Sequence, residues 1–268
     1  MRKLILINIR YDGTLTVCRA LLLLLCWGSV LQGQPYVADW DLCSDIRMFY
    51  SVRTLNAAAP LLGLTAASAH NGLDVDIRNV YQSRLRGPAG DRFSAWCKLP
   101  GEGRILIPAA LLTASLQWAL HPDNKLHAVS RWGQLVTRAY MVGAPPLLTA
   151  QRLTGASRPR ETTHAAQWRP LQDANGVSGH AFMGAVPFLA LAEMTRNVSW
   201  IYPVCVAASV MPAWSRVHDD KHYFSQAVLG WLLAQQAVTA VTGRIKKESE
   251  LSVVPYDGRW SINLTVSW

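Results

Sequence analysis

The stretch from Ser215 to Gly230, which reads SRVHDDKHYFSQAVLG, concentrates side chains that can do chemistry. Its first eight residues hold two imidazoles, a guanidinium and two carboxylates, and an apolar run suited to a helix follows from Gln226 to Val241. Charge at the mouth of an apolar helix is unfavourable unless solvent or a ligand meets it. Arg216 can grip an anion through two parallel hydrogen bonds, and a ring nitrogen of His222 can face that anion. The spacing therefore predicts anion chemistry where this helix begins.

Two further polar segments lie at predicted helix ends. Arg158-Pro159 ends a predicted third helix, and Ser178–His180 opens the fourth. In a helical bundle these ends would gather at the same end of the molecule as Ser215–His222. We therefore expect the three segments to form one site.

A tetrahedral anion such as phosphate fits the chemistry of that expected site. The free amides and positive dipole ends of two helices favour an anion. Arg158 and Arg216 can each hold phosphate oxygens in pairs, and Gly179 lets the backbone approach closely. His180 and His222 can divide the work, since one can attack phosphorus while the other protonates the leaving oxygen.

Composition restricts the class of protein. The chain has 268 residues, of which 50% are hydrophobic and 16% charged, with 11 Trp and a net charge of +9. These values predict one large domain with an apolar interior, or a chain that touches lipid. The positive excess suits an anionic small substrate or an anionic membrane surface. No run of Lys and Arg indicates nucleic acid, and no spacing of Cys and His indicates a zinc site.

The apolar runs predict an all-α protein, a six-helix bundle. The six runs are 54–68, 105–120, 126–153, 181–194, 199–214 and 226–241. Pro145-Pro146 should interrupt the third run. Residues 39–51 suggest a polar lead-in and 71–103 a long surface excursion. Most runs are shorter than the about 20 residues that a bilayer requires, so a compact bundle in solution or on a membrane surface is favoured over a polytopic membrane protein.

Both ends of the chain differ from this bundle. Residues 1–34 are typical of an export signal, with an apolar core at 20–31 behind basic residues, and retention as an N-terminal anchor is the alternative. Export predicts a periplasmic or membrane-associated protein and an oxidising compartment. Cys43 and Cys97 would then pair, unless they and a buried Cys205 are all free thiols. Residues 35–245 form the predicted helical domain, and 246–268 a C-terminal β-hairpin whose apolar face covers the helices or touches a membrane.

Together the three polar segments resemble the signature of the type 2 phosphatidic acid phosphatase and vanadium haloperoxidase superfamily. That signature runs Lys-x6-Arg-Pro, then Pro-Ser-Gly-His, then Ser-Arg-x5-His-x3-Asp. The corresponding parts here are Gln151-x6-Arg158-Pro159, Val177-Ser178-Gly179-His180 and Ser215-Arg216-x5-His222-x3-Gln226. The resemblance covers about 54–241, and three motifs in the right order make it specific.

The resemblance implies a function for each matched residue. His222 would be the nucleophile that forms a phosphohistidine, and His180 the general acid. Phosphate would be bound by Arg158, Arg216, Ser178, the Gly179 amide and the residue at 151. Phosphatase members need no metal or other cofactor, whereas haloperoxidase members hold vanadate in the same pocket.

Two positions depart from the family pattern. Gln151 replaces a phosphate-binding Lys and loses its charge, which Arg152 or Arg160 can supply only out of register. Gln226 replaces an Asp that would receive the other ring N–H of His222, so we expect its amide oxygen to orient the ring. Restoring the carboxylate is then expected to raise turnover about tenfold, because about 1.4 kcal/mol is one decade in rate.

Asp219 or Asp220 can substitute as the partner of His222 if the amide does not serve. His218, between them and Arg216, is expected to be a surface histidine.

The sequence thus predicts a metal-independent phosphatase of phosphomonoesters or diphosphates, with lipid phosphates as candidate substrates. A vanadate-dependent haloperoxidase, a weakened phosphate- or lipid-binding relative and an integral membrane enzyme with the same chemistry are the alternatives.

Overall fold

The computed structural model describes residues 40–120, 126–161 and 166–243, and the backbone of two strands at 250–256 and 259–265. The predicted export signal lies outside the described residues. So do the side chains of the tail.

Among the described residues the protein is all-α apart from those two strands. The α-helices are α1 (Leu42–Phe49), α2 (Val52–His70), α3 (Leu73–Val80), α4 (Pro88–Cys97), α5 (Gly103–Ser115), α6 (His127–Thr154), α7 (Gly179–Met194), α8 (Ile201–His218) and α9 (Phe224–Thr242). A π-helical turn at Tyr81–Leu85 follows α3, and 3-10 turns at Leu99–Gly101 and Leu116–Trp118 flank α5.

The described residues therefore hold nine α-helices, and the prediction of six was wrong. The additional helices, α1, α3 and α4, lie in the segments that were expected to be a polar lead-in and a surface excursion. Their polar residues suggested exposure to solvent, but several of these side chains are buried. Asp45 of α1 is buried in an ion pair with Arg138 at 2.6 Å, and Asp74 of α3 accepts hydrogen bonds from Ser225. Paired carboxylates can be buried, so these short helices dock on the bundle.

Helix α6 continues through Pro145-Pro146, contrary to the expected interruption. Each proline removes one backbone donor, but Val142 and Leu147 on either side are buried and keep the helix packed. The helix ends at Thr154, where Gly155 takes the left-handed conformation with φ 54°. Arg158 consequently lies in the loop beyond the helix.

The core is centred on α7, which packs against α6, α8 and α9. Phe182 is fully buried within it. The Trp132 indole donates to the Pro187 carbonyl at 2.9 Å, and the Tyr140 hydroxyl donates to the Met183 carbonyl at 2.8 Å. These bonds satisfy polar groups inside the core and fix α7 along its length, so the N-terminus of α7 is rigidly placed.

The three described cysteines are free thiols. Cys43 is exposed on α1, whereas Cys97 on α4 and Cys205 on α8 are buried. The pairing of Cys43 with Cys97 is therefore not formed, and the alternative of three free thiols holds.

Two observations bear on the membrane and on the tail. Among the described helices none is long and apolar enough to cross a bilayer. Strands β1 (Glu250–Tyr256) and β2 (Arg259–Thr265) pair antiparallel, with Glu250 opposite Thr265. Whether an apolar face of this pair covers the helices stays a prediction.

Candidate active site

The starts of α7 and α9 are locked together. Ser178 caps α7, accepting from the Ala181 amide at 3.3 Å, and its own amide donates to the Gln226 carbonyl at 2.9 Å. A Cβ on Gly230 would lie 2.3 Å from the Ser178 carbonyl oxygen, so only glycine permits this approach. The second and third motifs are thus held in contact by backbone.

Gln226 fixes the orientation of the His222 ring. Its Oε1 lies 3.0 Å from His222 Nδ1 and accepts from the Tyr223 amide at 3.1 Å. Its Nε2 donates to the Ser157 carbonyl at 2.8 Å. Because a carbonyl can only accept, the Ser157 bond sets which end of the amide is Nε2 and leaves Oε1 towards His222. Nδ1 of His222 must then carry the proton, and Nε2 keeps its lone pair.

Burial keeps the His222 ring neutral. The pKa of His222 is lowered to about 4, chiefly by burial. The positive charges of Arg158 and Arg216 and the His180 imidazole lower it further, while the Gln226 bond raises it. A neutral imidazole with one free nitrogen is the form that can act as a nucleophile or base.

Arg216 is buried in the last turn of α8 and braced by two polar side chains. Its Nη2 lies 2.7 Å from Asp219 Oδ2, and Ser94 of α4 donates to the other oxygen of Asp219 at 2.7 Å. Asp219 is therefore the partner of Arg216. The suggestion that Asp219 substitutes as the partner of His222 was wrong.

The loop that carries Arg158 is tied to the turn between α8 and α9. Arg160 and Arg78 both pair with the buried carboxylate of Asp220. Burial raises the pKa of Asp220, but bonds from Arg78 and Arg160 outweigh this and hold the pKa below its ordinary value. Asp220 is thus occupied and does not contact His222, and Arg160 is an anchor. Arg158 itself is half exposed, 3.7 Å from Glu161.

His180, in the first turn of α7, lies beside the carboxylate of Glu102. Its Nε2 lies 3.5 Å from Glu102 Oε1, and both side chains are about two-fifths exposed, at 41% and 42%. The pKa of His180 is lowered by burial and then by Arg216, while Glu102 acts in the opposite direction.

Gln151 contacts the loop before α7. Its Nε2 donates to the Val177 carbonyl at 2.9 Å. The same atom would lie 3.7 Å from a Cβ placed on Gly179, and among the described residues no atom beyond the neighbours of Gly179 in its own helix would come within 4 Å. Gln151 therefore supports the motif, and the Gly179 backbone faces open space where an anion can approach.

His218 is fully buried, and the prediction of a surface histidine was wrong. Its Nδ1 lies 3.0 Å from the Tyr81 hydroxyl and its Nε2 lies 3.0 Å from Asp91. It joins α8 to the π-helical turn and to α4.

The structure thus brings His180, His222, Arg158 and Arg216 within electrostatic range of one another. Sequence reasoning missed Ser157, Glu102 and Ser94, and it gave Asp219 a different role from the bracing of Arg216 that the structure shows. Ser157 acts through its backbone, and Glu102 lies outside every motif, so no local pattern marks them.

The comparisons agree with this geometry. Residues 139–249 match the family model of the PAP2 superfamily, which confirms the resemblance seen in the motifs. A solved structure described as the first transmembrane PAP2 type phosphatidylglycerolphosphate phosphatase from Bacillus subtilis matches with a TM-score of 0.56 and 16% identity. The match covers 74% of this chain and 99% of that chain, and at this identity it establishes the fold. Comparison with curated protein sequences gave no significant match.

Proposed function

We propose that this chain, in which residues 139–249 match the PAP2 family model, is a phosphatase that hydrolyses phosphomonoesters or diphosphates through a phosphohistidine on His222. The observation that carries the proposal is the amide clamp, in which Gln226 holds the Nδ1 proton of His222 and leaves Nε2 free. The cations Arg158 and Arg216 lie close enough to influence the same ring.

The reaction has two displacements. The lone pair on His222 Nε2 forms a bond to phosphorus as the bond to the leaving oxygen breaks, and protonated His180 gives its proton to that oxygen. A water then attacks the phosphohistidine, His180 takes a proton from it, and the P–N bond breaks to release phosphate. Arg158, Arg216 and the Ser178 and Gly179 segment stabilise charge on the phosphoryl oxygens. We expect no metal in this scheme.

Chemical trapping tests the nucleophile. Enzyme quenched in the steady state with a 32P-labelled monoester should carry phosphate that is labile in acid and stable in base. His222→Ala should lack this label, whereas His70→Ala, a change at an exposed histidine outside the site, should keep it. Label that persists in His222→Ala would remove His222 from this role.

For the substrate we propose lipid phosphates met at a membrane surface. The described residues of α5 and the turn after it expose large apolar side chains, with Leu112 at 68% and Trp118 at 78%. Such surfaces mark contact sites, and the net charge of +9 suits anionic lipid. The matched solved structure is itself described as transmembrane. Flotation with anionic vesicles, compared between the chain and Leu112→Ser/Trp118→Ser, measures this contact; equal flotation would exclude this face.

A phosphate-binding relative without turnover is a second candidate. Gln151 supplies no charge and already donates to Val177, so the pocket lacks one cation of the family pattern. Calorimetric binding of phosphate together with no hydrolysis of any soluble or lipid phosphate, under conditions where the fold is intact, would favour this reading.

A further inference from the structure

The geometry points to Glu102 as a positioning residue that holds the proton on His180, the proposed general acid. Glu102 lies outside the three motifs and outside residues 139–249. The inference rests on the proposed function only for the role of His180, because the contact itself is between two side chains of the chain.

The backbone presents Glu102 to His180. Glu102 follows the 3-10 turn Leu99–Gly101 and precedes α5. A Cβ on Gly101 would lie 2.9 Å from the His180 carbonyl oxygen and 3.1 Å from its Cδ2, so this turn packs directly on His180. Gly184, one turn further along α7, also packs closely on this turn, because a Cβ added to Gly184 would lie 3.1 Å from the Gly101 amide nitrogen. The packing of this turn on α7 therefore fixes the backbone from which the Glu102 carboxylate extends.

Among the described residues, Glu102 is the carboxylate that acts on the charge of His180. Arg216 from α8 and Arg158 from the loop after α6 both disfavour the imidazolium, and the His222 ring from α9 lies in range as well. Glu102 favours the imidazolium chiefly through its negative charge, since its Oε1 lies 3.5 Å from His180 Nε2. Without it, burial and two guanidinium groups would act unopposed.

This balance has a direct consequence for catalysis. A general acid must be protonated when the leaving oxygen departs, so the rate should fall as pH rises through the pKa of His180. Removing the carboxylate lowers that pKa further. The basic limb of the rate profile should therefore move to lower pH, while a change that only loosened the fold would lower the rate at every pH.

The kinetic test compares three variants. Glu102→Gln is expected to move the basic limb of kcat down by about half a pH unit, which is about a threefold loss at high pH for a partly exposed pair. Glu102→Asp keeps the negative charge, so its basic limb should lie between that of the unaltered chain and that of Glu102→Gln. Glu161→Gln is the matched control, since Glu161 is similarly exposed at 44% but pairs with Arg158, and it should leave the limb in place. An unchanged limb in Glu102→Gln overturns the inference.

An NMR titration separates this inference from the proposed function. The His180 imidazole signal, identified by its loss in His180→Gln, should titrate at lower pH in Glu102→Gln than in the unaltered chain. If that shift is seen while no substrate is hydrolysed, the pairing stands and the proposed function fails. If the midpoint does not move, the inference fails whatever the activity.

Discussion

Because His222 is buried, we expect the folded chain to lose stability in acid by an amount that follows from the pKa of His222. The folded chain holds the pKa of His222 at about 4, whereas an unfolded histidine has a pKa of about 6.5. At a pH between these two values, His222 is protonated in the unfolded chain and neutral in the folded chain. The free energy of unfolding should therefore be unaffected by His222 above about pH 6.5 and should fall as the pH drops towards 4.

The size of this loss follows from the difference in pKa. One pKa unit corresponds to about 1.4 kcal/mol, so His222 should remove about 3 kcal/mol of stability by pH 4. That is a large part of the about 5–15 kcal/mol typical of a folded domain. Replacing His222 by Gln deletes the ionisation while keeping a side chain that can meet the Gln226 amide.

Urea unfolding monitored by tryptophan fluorescence measures the effect, because the chain has 11 Trp. The difference in unfolding free energy between the unaltered chain and His222→Gln should change by about 3 kcal/mol in favour of the variant from pH 7 to pH 4. The control is Gln235→Ala, a change at an exposed residue that does not ionise, and it should leave this difference unchanged. A change below about 1 kcal/mol would mean that His222 is not kept neutral by burial, and the argument for a ready nucleophile would fail with it.

Three substitutions test the groups around the proposed site. Gln226→Asp removes the donor to the Ser157 carbonyl and shortens the side chain. We therefore expect the free energy of unfolding to fall by about 1–3 kcal/mol in urea titrations, without the tenfold gain in turnover that the sequence suggested. A tenfold gain would show that the Ser157 bond is dispensable. Gln151→Lys should lower the inhibition constant of phosphate several-fold by adding a cation. The control is Gln235→Lys, a change at an exposed residue in the second half of α9. An unchanged constant in Gln151→Lys would place residue 151 outside the anion pocket. Ser94→Ala removes one hydrogen bond to Asp219 and should reduce kcat/KM by about threefold to tenfold. The change Ser83→Ala at an exposed serine is the control and should not reduce it. Equal kcat/KM in Ser94→Ala and the unaltered chain would show that Arg216 needs no support from α4.

The sequence determined the main helices and the place of the site. The helices α2 and α5 to α9 coincide within a few residues with the predicted apolar runs, because a long apolar run has few alternatives to a buried helix. The three motifs lie at helix ends or in the loop after α6, because polar residues at an apolar helix end need solvent or a ligand. The family model matches the same region.

The short helices were decided by tertiary contacts. In α1 and α3 the apolar signal is weak and the acidic residues suggested a surface. Asp45 and Asp74 are buried nonetheless, since Arg138 and Ser225 satisfy them from other parts of the chain. A charged residue is compatible with burial or exposure until its partner is known.

The roles around His222 were likewise decided only by the fold. From sequence, Asp219 and Asp220 were both candidates to orient the ring, and His218 had no visible partner. Asp220 pairs instead with Arg78, which is 142 positions away, and the Gln226 amide is set by the Ser157 carbonyl, 69 positions away. Spacing along the chain reveals which groups a segment carries, but hydrogen bonds act over about 3 Å, so the partner of each group is chosen by the packing of distant helices.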